Sequence, residues 1–261
     1  MTETLTVDGL TVLSDHPRHA TGAPVLLVHG MFANATIFAD WLPFLSERGH
    51  PAYAIDLRGH RGSRPATDLG SASIEEYADD VSTVARWIGS PAVVGHSMGG
   101  LIAQKVAERG DARAAVLICP APPRGITVMT PRLIMKQAKY MPAILRRKAI
   151  VPNREDLRAL TLNRMPRERQ DALLDMLGPD SGHAGWQMSI TGVRVDPGKI
   201  RCPLLVITAD DDRFIPARVA RRIAQRYRAP LQTMLGHGHM VTVEPGWQVL
   251  ADLVVRWLAE H

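Results

Sequence analysis

Short, wholly apolar runs alternate with longer stretches of helical periodicity through the first half of the chain, and this rhythm restricts the fold more than any other feature. The runs Val25-Leu26-Leu27-Val28, Ala52-Tyr53-Ala54-Ile55, Ala92-Val93-Val94 and Ala114-Ala115-Val116-Leu117-Ile118 are separated by helical patterns over about 37–48, 74–88 and 98–108. A strand without a polar face cannot leave either side in water, so each run demands cover above and below. A parallel sheet with right-handed helical crossovers supplies that cover. The rhythm returns at Leu204-Leu205-Val206-Ile207, with a helix expected over about 217–227, a strand over 231–235 and a last helix over about 247–258. Ahead of all this, Leu5-Thr6-Val7 and Leu10-Thr11-Val12-Leu13 flank Asp8-Gly9, the signal of a tight hairpin. The expectation is an α/β fold with a mostly parallel central sheet and helices on both faces.

Residues 120–199 break the pattern, because no strand-like run appears there. Ile134, Ala138 and Met141 share one helical face and Leu173, Met176 and Leu177 another, while Pro142, Pro152, Pro166 and Pro179 cut the stretch into short pieces. It reads as a helical insertion, leaving residues 1–119 and 200–261 as the core. Charge divides the same way. The insertion holds fourteen Lys and Arg against seven Asp and Glu, the rest seventeen against nineteen, so the net +5 of the chain belongs to the insertion. A solvated helix face accounts for such a balance; the alternative is attraction of anionic substrates or an anionic lipid surface.

With 46% hydrophobic residues over 261 positions the chain has enough apolar surface for a sizeable core, which excludes disorder. No segment approaches the ~18 apolar residues of a membrane span, and the first residues have neither the basic nor the apolar stretch of a signal peptide. A cytoplasmic location without an integral membrane segment is expected. Cys119 and Cys202 fall at opposite ends of neighbouring parallel strands, ~17–20 Å apart. That is too far for a disulfide, so both are read as buried thiols.

Gly95-His96-Ser97-Met98-Gly99 is a Gly-x-Ser-x-Gly sequence between a predicted strand and a predicted helix, the setting a nucleophile elbow requires. A serine hydroxyl is a poor nucleophile until a base takes its proton. The loop Gly236-His237-Gly238-His239 follows the last predicted strand and offers two candidates. His239, at the end of that loop, is preferred, with His237 a solvated loop residue or a neighbour of the site. His16, His19, His50 and His261 follow no core strand and are read as surface residues. The base needs a carboxylate to fix its tautomer and stabilise the imidazolium. Asp210-Asp211-Asp212 follows the strand that starts at Leu204, and repulsion favours two of the three pointing into water. The strand ending at Ile118 leads only to Cys119-Pro120-Ala121, which has no acid.

The elbow Gly-His-Ser-Met-Gly-Gly, the order Ser, Asp, His, the Val28-His29-Gly30 turn, and Asp56-Leu57-Arg58-Gly59-His60-Arg61-Gly62-Ser63 together resemble the α/β-hydrolase superfamily. The resemblance covers nearly the whole chain outside 120–199. It implies an α/β-hydrolase fold in which 120–199 is a helical cap over the active site. In these enzymes the acid stands four residues before a proline, which selects Asp212 ahead of Pro216. Two departures, Ala209 for a usual glycine and Arg61 within a loop that more often reads Gly-His-Gly-x-Ser, touch no triad position. The resemblance also implies an oxyanion hole from the backbone N–H groups of Met98 and Met31, with Phe32 the near alternative to Met31. Phe32, Met129, Met135, Met141, Met188, Trp186 and Phe214 are candidates for an adaptable apolar pocket.

These expectations point to a carboxylesterase-like serine hydrolase with the triad Ser97, Asp212 and His239 and a small-molecule ester substrate. Lactonase is the nearest alternative. C–C bond hydrolase, perhydrolase and amidase chemistry share the triad, and a small-molecule sensor on the same scaffold is the alternative from another class. Ser97 argues against the dehalogenases and epoxide hydrolases of the superfamily, which carry aspartate at the elbow. No metal site or cofactor is expected, since no His-Glu-x-x-His, Cys-x-x-Cys, phosphate loop or dinucleotide fingerprint occurs. No nucleic-acid-binding module is recognisable either.

Overall fold

The computed structural model describes residues 2–128 and 131–261. Eight strands form one sheet: β1 (Glu3–Val7), β2 (Leu10–Asp15), β3 (Val25–Val28), β4 (Ala52–Ile55), β5 (Ala92–His96), β6 (Ala114–Ile118), β7 (Leu204–Ala209) and β8 (Leu231–Met234). Their spatial order is β1-β2-β4-β3-β5-β6-β7-β8. β2 runs antiparallel to β1 and β4, and every other pair is parallel. The first two strands are the predicted hairpin, with Asp8 at φ 49° and Gly9 at φ 73° in its turn.

Five helices cover the sheet. On one face α2 (Ile74–Ile88), α3 (Met98–Arg109) and α9 (Ala217–Tyr227) pack with Leu26, Val28, Val93 and Val206. On the other, α1 (Trp41–Glu47) and α10 (Trp247–Ala259) pack with Val25, Leu27, Val94 and Ile207. Adjacent strand residues thus enter opposite apolar layers, which is why the strands read as unbroken hydrophobic runs. α2 starts on a capping box, Ser73 and Glu76 each accepting from the other's backbone N–H, and ends at Gly89 with φ 97°. The helix expected over 37–48 is instead a 3-10 turn, Ala35–Phe38, followed by the shorter α1.

Among the described residues between β6 and β7 the α-helices are short: α4 (Pro131–Gln137), α5 (Met141–Leu145), α6 (Arg154–Leu160), α7 (Arg167–Asp175) and α8 (Gly182–Trp186). The face expected from Ile134, Ala138 and Met141 is not an apolar seam, since Ile134 is 55% exposed and Ala138 is exposed as well. Of the second predicted face Leu173 is buried, while Met176 is 40% exposed. Cys119 and Cys202 are free thiols, Cys119 buried and Cys202 half-buried. His50, expected at the surface, is buried beneath residues 22–23, with its Nδ1 donating to the Ala23 carbonyl at 2.9 Å. No helix among the described residues is long and apolar enough to cross a membrane.

Candidate active site

β3 lies between β4 and β5, so the chain turns to opposite sides of the sheet after β3 and after its neighbour β5. Loops leaving the carboxyl ends of two such strands diverge and leave a crevice. Gly30 and Met31 leave β3 on one side of it, and Ser97 leaves β5 on the other. Ser97 holds φ 55° and ψ −116°, a backbone region that costs an L-residue of order 1–3 kcal/mol and persists only where its surroundings impose it. They do so here. A Cβ on Gly95 would strike the Gly99 carbonyl, and one on Gly99 would strike the Val28 carbonyl. The Ser97 amide donates to Ile118 O at 2.9 Å, tying the turn to β6.

His239 Nε2 lies 3.0 Å from Ser97 Oγ, and His239 Nδ1 lies 2.8 Å from Asp212 Oδ2. The other carboxylate oxygen of Asp212 accepts from the amides of Phe214 and Ile215 at 2.9 and 2.7 Å. All three residues are buried. Of the neighbouring acids, Asp210 is exposed and accepts from Gly236 N, while Asp211 pairs with Arg164. His237 turns away to Glu244, whose Oε2 also accepts from the Gly238 amide at 2.9 Å. Burial pushes the Glu244 carboxyl up, although Gly238 N and His237 pull against it. Such a chain can pass a proton from the serine to the imidazole, with the carboxylate holding Nδ1–H toward itself.

His96, the residue just before Ser97 in the elbow, has a role its sequence position does not announce. Its Nε2 donates to the His239 carbonyl at 2.8 Å, tying the nucleophile turn to the loop of the base. Burial first, and the nearby His239 second, lower its pKa to about 3, so the ring stays neutral and donates through Nε2. Cys119 Sγ, an Asp212 oxygen and a His239 nitrogen lie within 4.8 Å of one another. As donors for a cation they fit poorly: Asp212 and His239 are bonded to each other, and burial pushes the Cys119 thiol well up.

The loop after β3 is held peptide by peptide. Gly30 O accepts from the Ala33 amide at 3.2 Å and from His29 Nδ1 at 2.9 Å, so the N–H on the far side of the same peptide plane, that of Met31, is turned away from those contacts. His29 is buried and its pKa is lowered to about 3, chiefly by burial and then by His60, which keeps it neutral. Ala35 N donates to buried Asp56 at 2.7 Å. Phe32, at φ 69°, donates its amide to Asp180 Oδ2 at 2.8 Å, so it has no free N–H to offer an oxyanion. Met31 remains as the donor candidate opposite Met98.

Above these groups lies a cavity of about 610 Å³. Of the pocket candidates Phe32, Met188 and Phe214 stand in its lining, beside Met31 and Met98. Met135 does not: it is 73% exposed, because α4 turns Leu133, Lys136 and Gln137 toward the cavity instead. Met141 and Trp186 are half-buried but stand outside the lining, and Met129 lies outside the described residues. Aliphatic side chains that no motif marks, among them Ile144, Ile150 and Leu160, take their places.

Comparison with known proteins agrees with this architecture. The chain is similar to a monoacylglycerol lipase of Mycolicibacterium smegmatis, 26% identical over 261 residues that cover 91% of this chain and 88% of the relative. It is similar also to the magnesium-chelatase 30 kDa subunit of Rhodobacter capsulatus, 27% identical over 92% of this chain and 88% of the relative. A solved thermophilic esterase from Thermogutta terrifontis superposes with a TM-score of 0.75 at 22% identity, covering 100% of this chain and 98% of that one. Names diverge among these relatives while the scaffold persists. The sequence profile that matches residues 25–253, from the first parallel strand into the last helix, makes the chain a member of the alpha/beta hydrolase family.

Proposed function

We propose that this protein is a serine hydrolase of small-molecule carboxylic esters, with Ser97 as nucleophile, His239 as base and then acid, and Asp212 as the group that orients it. The observation that carries the reading is the unbroken path from Asp212 through His239 to Ser97 Oγ, opening into an apolar cavity. Ser97 Oγ attacks the ester carbonyl and gives its proton to His239 Nε2. The oxyanion lies against the Met31 and Met98 amides. Collapse expels the alcohol, which takes the proton back from His239. Water then loses a proton to the same nitrogen and attacks the acyl carbon, which releases the acid and restores the serine hydroxyl. Residues 120–199 serve as the cap that gives the substrate an apolar wall.

Turnover of short p-nitrophenyl esters and a panel of lactones, compared between the wild type and Ser97→Ala, tests this. Ester turnover abolished by the substitution, together with fluorophosphonate labelling at Ser97, is the expected result. Faster turnover of lactones than of esters would replace the esterase by a lactonase. A folded protein that turns over neither would overturn the hydrolase reading.

A further inference from the structure

One buried carboxylate of the stretch between β6 and β7, Asp180, bonds to the β3 loop. Asp180 is fully buried, and its backbone forms an isolated antiparallel bridge with Ile150. Its Oδ2 accepts from Phe32 N at 2.8 Å, and its Oδ1 accepts from the Tyr77 hydroxyl at 2.9 Å and the Ser181 amide at 2.7 Å. His60 Nε2 stands 3.3 Å from Oδ2, near enough for an ion pair. Two neighbours of Asp180 grip the same loop: Gly178 N donates to Phe32 O at 2.8 Å, and Met176 O accepts from the Asn34 side chain at 2.8 Å.

We propose that Asp180 is a positioning residue for the oxyanion hole, so that residues 176–181 of the cap complete the loop that stabilises the transition state. The proposal rests on the ester-hydrolase reading above. Three successive peptides bear on the Met31 amide. The Gly30–Met31 plane is fixed through Gly30 O by His29 and Ala33, both core residues. The Met31–Phe32 plane is fixed through Phe32 N, and its partner is Asp180. The Phe32–Ala33 plane is fixed through Phe32 O by Gly178. Without Asp180 the middle plane has no anchor, and Phe32 at φ 69° sits where a non-glycine residue relaxes once released. Relaxation at Phe32 carries the Ala33 amide off Gly30 O, and the Gly30–Met31 plane, left with His29 as its one anchor, tilts its N–H away from the developing oxyanion. An oxyanion donor acts on the transition state and not on the ground state, so a mis-aimed one lowers kcat and spares KM.

Asp180→Asn is the discriminating variant. The Asn side chain keeps most of its bonds with its oxygen accepting from Tyr77 and Ser181 and its NH2 facing His60 Nε2, which leaves the Phe32 N–H without an acceptor. The expected result is a fall in kcat of up to ~10²-fold with KM within about twofold. The inhibition constant of an aryl trifluoromethyl ketone, whose Ser97 adduct places an oxyanion in the hole, should rise by the same factor. Asp171→Asn, which removes only an exposed cap ion pair with Arg154 and Arg158, should leave all three values unchanged. A folded Asp180→Asn enzyme with wild-type kcat, or one whose kcat falls while ketone affinity is kept, overturns the proposal. Loss of wild-type ester turnover would instead sink the underlying reading. Should Asp180→Asn not accumulate, amide hydrogen exchange in the wild type decides. Strong protection of Phe32 with faster exchange at Met31 supports the arrangement, and unprotected Phe32 overturns it.

Discussion

The sheet core and the helical stretch between β6 and β7 solve the same problem with different tolerances. In the core each strand residue is fixed by two apolar layers, and β3 to β7 are buried along their whole length. In the helical stretch the longest helix has nine residues, large apolar side chains such as Met135 and Val151 stand 73% and 72% exposed, and ion pairs such as Arg158–Asp171 lie in water. The lesson is that the core sets each position from two sides, whereas the stretch above is held at separate points, among them Arg164 on Asp211 and residues 176–181 on the β3 loop.

The largest test of that contrast lies at the triad. Ser97→Ala should lower kcat for esters by ~10⁴-fold or more, measured by stopped or continuous ester assay. Asp212→Asn should cost ~10³–10⁴-fold, while Asp210→Asn and Asp211→Asn stay within a few-fold; similar losses at all three would void the assignment of the acid. Next comes packing. Leu27→Ala, at a fully buried site in β3, should lower stability by about 2–5 kcal/mol in urea unfolding, and Met135→Ala by no more than about 0.5 kcal/mol. Equal costs would mean that the helical stretch is packed as tightly as the sheet.

A smaller effect should be seen with pH. Burial pulls the His60 pKa down, but the Asp180 carboxylate facing it, together with the Arg58 and Leu57 backbone carbonyls, more than offsets this, and the net shift is upward. Asp180 is shifted the other way: burial raises it, and His60 with the Phe32 and Ser181 amides lowers it further than burial lifts it. A raised folded pKa means that His60 contributes stability below its unfolded value of ~6.5, and that this is lost as pH rises through the folded value. His29, Tyr77, Asp56 and Asp180 all face this imidazole, and His29 remains neutral across the range. The Tm gap between the wild type and His60→Gln should therefore be widest near pH 6 and narrow toward pH 9. A gap independent of pH would show that the ring acts by shape alone.

The residues legible in the sequence are those whose chemistry also constrains their neighbours. Ser97 announces itself because the glycines at 95 and 99 are demanded by close backbone approach, and His239 because it ends a loop that follows a strand; Asp212 is singled out from its two neighbours only by the resemblance, through Pro216. The helix starting at Ile74 is readable for the same reason, through Ser73 and Glu76. Asp180 was not readable. It stands between a proline and a serine in an irregular segment, and only the folded chain brings Phe32, 148 residues away, to its oxygen. The cavity wall was misjudged at Met135, Met141 and Trp186 because helical periodicity identifies a face only where a helix is long enough to have one. α4 and α5 have seven and five residues.

The order of the strands also has a consequence for a chain leaving the ribosome. The Gly95–Gly99 turn emerges early, yet Ser97 meets His239 across a separation of 142 positions, and the β3 loop waits for Gly178 and Asp180. Trp41 Nε1 donates to Thr242 O across 201 positions at 2.8 Å, which fastens the loop after β8 to the start of α1. On the proposed reading, a nascent polypeptide carries an unactivated serine until the loop that bears His239 has emerged and closed on Ser97.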